Sequence, residues 1–352
     1  MNELFAGTYA RGEGARCLGG EAWLRAMLEV EAALASANAE LGVIGAQAAV
    51  AIGAAAERID RFDVEAIAAA GADHVTPVIP LVARLRELVG PQHAAAVHVG
   101  ATSQDIIDSA MMLVSKRSLA ATLIDVTTAQ ESAARLAAEH ESVPMAGRTL
   151  LQQALPISFG EKATRWATAI GQLIDGLKLT ADLLPVQMYG PVGSGDPHLT
   201  ELVADRLGLV TAPGCWHTDR LPVAQVACVA GIVCGTLGKI ARDVTLLAQT
   251  EVGEASEGVP GRGGSSAMAH KHNPVAAVSV LACTKRTPGL VATVLAAMEQ
   301  EHERAAGAWQ AEWGTISELL TLTASAAAWS ADMLGHLKID PARMSANLEG
   351  DH

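Results

Sequence analysis

Four side chains with chemical potential, Ser265, Ser266, Lys271 and Asn273, fall within nine residues, directly after the glycines Gly261, Gly263 and Gly264. Glycine lets a backbone approach a ligand closely. Successive N–H groups, two hydroxyls, an ammonium and an amide are the donors that an anion site requires. Pro274 fixes φ where this stretch ends, and apolar runs flank it on both sides. The stretch therefore reads either as a loop that closes over an anionic ligand or as an ordinary solvated connection between helices.

Two further polar groups stand just before apolar runs: Thr102-Ser103-Gln104-Asp105, and Arg148-Thr149-Leu150-Leu151-Gln152. The first has the chemistry of a helix N-cap, with hydroxyls for the free N–H groups and Asp105 for the helix dipole. A helix N-terminus also attracts anions, and the two roles are compatible. The second group on its own suggests no more than a cap.

The elements that must hold these groups are helical. Leu24, Met27, Leu28 and Leu34 recur at helical spacing over 20–41, ending at Gly42. From Ala101 to Val143 there is neither glycine nor proline, a reach of ~60 Å as helix. A turn region over 147–156 and a second helical run to Leu184 follow, and 187–222, with many glycines and prolines, reads as loop. Val223, Val226, Ala227, Ala230, Val233, Cys234, Leu237, Ala241, Val244 and Ala248 then form the clearest periodic stripe in the chain. Two more runs, 275–287 and 289–337, lead to Pro341, and no stretch alternates convincingly as a strand. The expected fold is all-α. A small N-terminal helical domain (1–98) precedes a long-helix bundle (99–340) that carries the loop 258–274, and 341–352 begins a further domain. Several helices are apolar on more than one face, which predicts a homo-oligomer, a tetramer with helices bundled at its centre.

Half of the 352 residues are hydrophobic but only 3% are aromatic, a composition suited to close packing of alanine- and leucine-rich helices. A net charge of −13 argues against nucleic acid as a partner, yet leaves room for a small anionic substrate in a locally positive site. The five cysteines form no CxxC pair and suit reduced thiols in the cytoplasm. Lys271 between His270 and His272 disfavours a metal there. No signal peptide and no membrane span are expected from the hydropathy pattern.

The run Gly264–Pro274 resembles the signature of the fumarase/aspartase superfamily, written GSSxMPxKxNP, except that Ala269 stands where that pattern has proline. TSQDIIDSA, RTLLQQALP, Trp216–Arg220 and Gln300–Trp309 extend the resemblance over about residues 20–348, and it is strongest to the 3-carboxy-cis,cis-muconate cycloisomerase branch. Two departures are the run Gly190–Gly195, where the family has a GGAAGT-like sequence, and an end at His352 where members continue into a third helical domain. Leu150 occupies the place of the acid–base histidine of the RTHxQ segment, which counts against a fumarate-releasing lyase of the adenylosuccinate or argininosuccinate type.

The resemblance implies closure of a small tricarboxylate, 3-carboxymuconate, to a lactone in aromatic-compound degradation, with no cofactor and no metal. It implies Ser265 as the proton-transferring base and Lys271 and Asn273 as stabilisers of the developing aci-carboxylate. Arg304 becomes a carboxylate clamp, while Thr102, Ser103, Thr149, Gln152, Ser266 and Met268 bind the rest of the substrate. In the superfamily each site draws on three subunits. Another lyase of the superfamily, or a catalytically silent helical scaffold, remains the alternative.

Overall fold

The computed structural model describes residues 3–268 and 271–349, so Ala269 and His270 lie outside the described residues. Helix makes up 66% of the chain, and the strands are too few and short to form a layer of their own, so helix-on-helix packing carries the core. Six helices organise it: α1 (Gly20–Glu40), α2 (Ser103–Glu139), α3 (Phe159–Asp182), α4 (Leu221–Leu247), α5 (Val275–Ala296) and α6 (Ala308–Gly335). The last five close a ring, each packed on the next and α6 returning to α2, while α1 lies along α2. One continuous apolar core runs from Leu18 through the bundle to Met344.

Local chemistry sets the ends of these helices. Thr102 caps α2, and Asp105 three residues on accepts its backbone N–H at 3.0 Å. Ser158 Oγ accepts from Glu161 N to start α3, and Pro222 sits in the first turn of α4. The first turn of α5 is capped from a distance: the Glu257 carboxylate accepts from Ala276 N and Ala277 N.

The structure corrects the expected elements in three places. The turn region is an antiparallel hairpin of β1 (Pro144–Thr149) and β2 (Gln152–Ser158), with Thr149 opposite Gln152. Its two-residue turn, within the expected turn region, places Leu150 at φ 52° and Leu151 at φ 67°, a geometry that asparagine and glycine favour and two leucines do not announce. Within the expected loop 187–222 lies a helix, Pro197–Leu207, begun by Asp196 accepting from His198 N. The break expected at Pro288 falls instead at 297–307, because α5 runs through the proline. The Thr284 carbonyl, which Pro288 cannot serve, accepts the Thr287 hydroxyl at 3.0 Å, and the ring faces solvent. Arg304 thereby stands in a loop rather than in mid-helix.

The strands β3 (Ala255–Glu257) and β4 (Leu337–Ile339) pair antiparallel and tie the start of the glycine-rich loop to the end of α6. Helix α4 is long and apolar enough to cross a membrane by composition, but 44% of its most apolar window is buried within the bundle, on the stripe from Val223 to Val244.

Candidate active site

The residues singled out in the sequence fall into two groups at opposite ends of the bundle. The 22 residues of α5 span ~33 Å between the glycine-rich loop and the loop that carries Arg304. No single chain can bring Lys271 against Arg304.

At one end lie Thr102, Ser103 and Arg304. Arg304 Nε donates to Gln104 Oε1 at 3.1 Å, and its Nη2 donates to the Pro191 carbonyl at 3.1 Å. Thr102 and Ser103 are half-buried at the N-terminus of α2, where the helix dipole and free N–H groups favour an anion. Beneath them Asp105, wholly buried, accepts from Tyr189 N, Gly190 N and His217 Nε2 (2.8 Å). Burial opposes charge on the His217 imidazole, but its hydrogen bond to Asp105, helped by Cys215, outweighs it and pushes the group up to about 9.

Deeper in the same end, Arg220 is fully buried between Asp108 and Glu312, bonding to the first at 2.8 and 2.9 Å and to the second at 2.6 and 3.0 Å. Trp309 Nε1 closes Asp108 at 3.0 Å, and Gln300 Nε2 closes Glu312 at 3.0 Å. Burial pushes the Glu312 carboxyl above the usual range, against the pull of Arg220. This network joins α2, α4, α6 and the loop before α6, so it fixes where Arg304 starts from.

At the other end stand the hairpin and the glycine-rich loop. Arg148 makes two parallel hydrogen bonds to Glu254, at 2.9 and 2.6 Å, which tie β1 to the chain just before β3. Thr149 and Gln152 are exposed beside the turn, and Leu150 is 96% exposed at its tip. Arg262 binds both Asp332 (2.8 Å) and Glu257 (3.3 Å), anchoring the entry of the loop. Ser265 Oγ accepts from Ala267 N and Met268 N at 3.3 and 3.2 Å. Ser266, Met268 and Lys271 are exposed, and Asn273 turns inward onto the Gly263 carbonyl.

Reasoning from the sequence read Asp105 as part of a helix cap and His217 and Arg220 as part of a motif, but gave no site role to these three or to Gln104, Asp108 and Glu312. Their signal is a charged or amide side chain set in an otherwise apolar helical run, as in Asp105-Ile106-Ile107-Asp108. A half-buried imidazole on a buried carboxylate, His98 Nδ1 to Glu31 at 2.6 Å, shares this end and also carries a left-handed backbone, φ 67° at His98. Among the described residues no group of three His, Cys, Asp or Glu side chains is placed to hold a metal ion.

Comparison with known proteins bears on this arrangement. A family model described as lyase matches residues 16–289. The chain is 43% identical over 340 residues to a 3-carboxy-cis,cis-muconate cycloisomerase of Bradyrhizobium diazoefficiens, covering 94% of this chain and 75% of that protein. It is 40% identical over 346 residues to nitrosuccinate lyase of Streptomyces davaonensis, covering 93% of this chain and 73% of that one. Among solved structures, 3-carboxy-cis,cis-muconate lactonizing enzyme from Pseudomonas putida superposes with a TM-score of 0.94 at 36% identity, over 99% of this chain and 80% of the other. With its ring of long helices, its glycine-rich loop and a family match over most of its length, this chain belongs to the lyase family of the fumarase/aspartase superfamily.

Proposed function

We propose that this protein is a 3-carboxy-cis,cis-muconate cycloisomerase, closing the diene tricarboxylate to a carboxymuconolactone in protocatechuate degradation. The observation that carries the reading is Leu150: the hairpin that would present an acid–base imidazole presents an apolar side chain, in a chain whose relatives include cycloisomerases of that name. Lactonisation joins one substrate carboxylate oxygen to a carbon of a double bond, and a proton is added to the neighbouring carbon. Negative charge gathers meanwhile on the carboxylate conjugated to that bond. The site needs cations and N–H donors more than a second histidine. Arg304 and the N-terminus of α2 offer such donors at one end of the bundle, Lys271 and the loop N–H groups at the other. Ser265 is the proton-transferring group of this scheme: its hydroxyl gives the proton to that neighbouring carbon, and the alkoxide left behind faces two backbone N–H groups that favour it.

The active unit in this reading is a homotetramer whose sites combine the two ends from different subunits. Two features support it. The site halves are separated by the length of α5, and α4 exposes Ile232 beside Leu179 of α3 and Leu183 just past its end. The compartment is the cytoplasm, in keeping with five free thiols.

A second reading, elimination from a substituted succinate, is favoured by the 40% identity to a nitrosuccinate lyase. One experiment separates the two. Purified protein is given 3-carboxymuconate, nitrosuccinate, adenylosuccinate and argininosuccinate in turn. Ultraviolet loss of the diene without fumarate-type product from the other three supports the cycloisomerase. Enzymatic release of an alkene product from any succinyl compound, with no diene consumption, replaces it by the lyase.

A further inference from the structure

Gln104 is wholly buried, and both ends of its amide are engaged. Its Nε2 donates to the His217 carbonyl at 2.7 Å, and its Oε1 accepts from Arg304 Nε at 3.1 Å. These two partners leave the amide one orientation. A carbonyl oxygen can only accept, so the NH₂ must face His217; a guanidinium can only donate, so the oxygen must face Arg304. We propose that Gln104 is a positioning residue that aims the Arg304 guanidinium at a substrate carboxylate, taking its own orientation from the His217 carbonyl.

The geometry gives the aim a definite direction. Arg304 uses Nε–H on Gln104 and one Nη2–H on the Pro191 carbonyl. Of the five guanidinium hydrogens, both on Nη1 and one on Nη2 stay available, and one from each nitrogen can form a two-pronged bond to a carboxylate. The other end of the relay is rigid. The His217 carbonyl also accepts from Arg220 Nη1 at 3.4 Å, and Arg220 is held by Asp108 and Glu312. The His217 imidazole is held by Asp105, the residue after Gln104. Consecutive residues at the start of α2 thus grip His217 by its backbone and its ring, and the buried framework sets the place of Arg304. In the Thr102–Asp105 segment, Thr102 and Ser103 remain half-accessible to a ligand while Gln104 points inward.

The inference rests on Arg304 as a carboxylate clamp of the proposed reaction. Its test uses the assembled enzyme, Gln104→Leu, Gln104→Asn, Arg304→Ala and the Gln104→Leu/Arg304→Ala double variant. Each is assayed with 3-carboxymuconate, melted, and crystallised. Removing a hydrogen bond to a charged group should raise KM about tenfold or more for both Gln104 variants, with kcat within a few-fold. In the Arg304→Ala background the same Gln104→Leu change should cost no more than about twofold, because its effect passes through the missing guanidinium. Crystals of Gln104→Leu, or of Gln104→Asn where the leucine variant does not fold, should show the Arg304 guanidinium moved from its wild-type place. Unchanged KM, additive losses in the double variant, or an unmoved guanidinium would overturn the proposal. Wild-type protein that leaves 3-carboxymuconate untouched would end the cycloisomerase reading instead, and the place of Arg304 in the Gln104 variants, which needs no turnover, would then decide the positioning role.

Discussion

Asn273 grips Gly263 twice: its backbone N–H at 2.8 Å and its Nδ2 at 3.0 Å both donate to the Gly263 carbonyl. The two residues form the neck of the glycine-rich loop, and only glycine fits there. Gly263 lies at φ 82°, and a Cβ on it would meet the Asn273 oxygen at 2.4 Å. Asn273 therefore serves first to close the loop on itself, a role that its composition alone does not announce. Gly263→Ala is expected to raise the closed neck by ~1–3 kcal/mol and cut kcat/KM about tenfold or more. The melting temperature should stay near wild type, since the site is a surface loop. Steady-state kinetics beside a thermal melt would check both halves, and full activity would show that the neck can open without cost.

Lys271 is exposed at the far side of that neck and is the loop's lone ammonium. Lys271→Met should lower kcat by ~10²–10³-fold while leaving the helical circular dichroism unchanged. A variant within a few-fold of wild type would reduce Lys271 to a surface charge.

Because Lys271 and Arg304 sit at opposite ends of α5, complementary variants should rescue each other. Lys271→Met and Arg304→Ala proteins, each strongly impaired, are expected to regain a fraction of wild-type turnover when their subunits are mixed by denaturation and refolding together. Ile232→Glu, on the exposed face of α4, should lower the mass found by light scattering from the tetramer toward the monomer. A wild-type monomer at micromolar concentration, or mixed subunits with no rescue, would defeat the shared site.

The His217–Asp105 pair makes stability depend on pH. The folded imidazole is pushed up to about 9 from an ordinary value of 6.5, so the fold binds a proton more tightly than the unfolded chain. The resulting stabilisation, roughly 3 kcal/mol at ~1.36 kcal/mol per tenfold gain in proton affinity, is fully present below pH ~6.5. It fades as pH rises toward about 9. His217→Gln should flatten the decline in melting temperature between those values, and parallel curves for the two proteins would assign the decline to other groups.

Removing one partner of the buried Arg220 network strands charge in the core. Arg220→Met leaves Asp108 and Glu312 facing each other at zero exposure and should destabilise by ~3–5 kcal/mol. Adding Asp108→Asn and Glu312→Gln should recover part of that loss. Denaturant midpoints of the single and triple variants would measure it, and a single variant as stable as wild type would mean that water reaches the network.

Much of the fold was legible in the chain because helices are written in consecutive residues. The span free of glycine and proline from Ala101 to Val143 and the stripe from Val223 to Ala248 both became long bundle helices. The glycine-rich loop was equally plain, being a run of fourteen residues with no break. What the sequence left open depends on partners far apart in it. Pro288 reads as a stop until Thr287 is seen to take over the stranded carbonyl. Leu150 and Leu151 give no hint of a turn that asks for positive φ. Arg220 lies more than ninety residues from Glu312, and Gln104 two hundred from Arg304, so no local period links them. Tertiary structure showed that the candidate site residues stand at two ends of the bundle. The reason is geometric: a continuous helix such as α5 carries its two flanking loops apart by about its own length, whatever their composition.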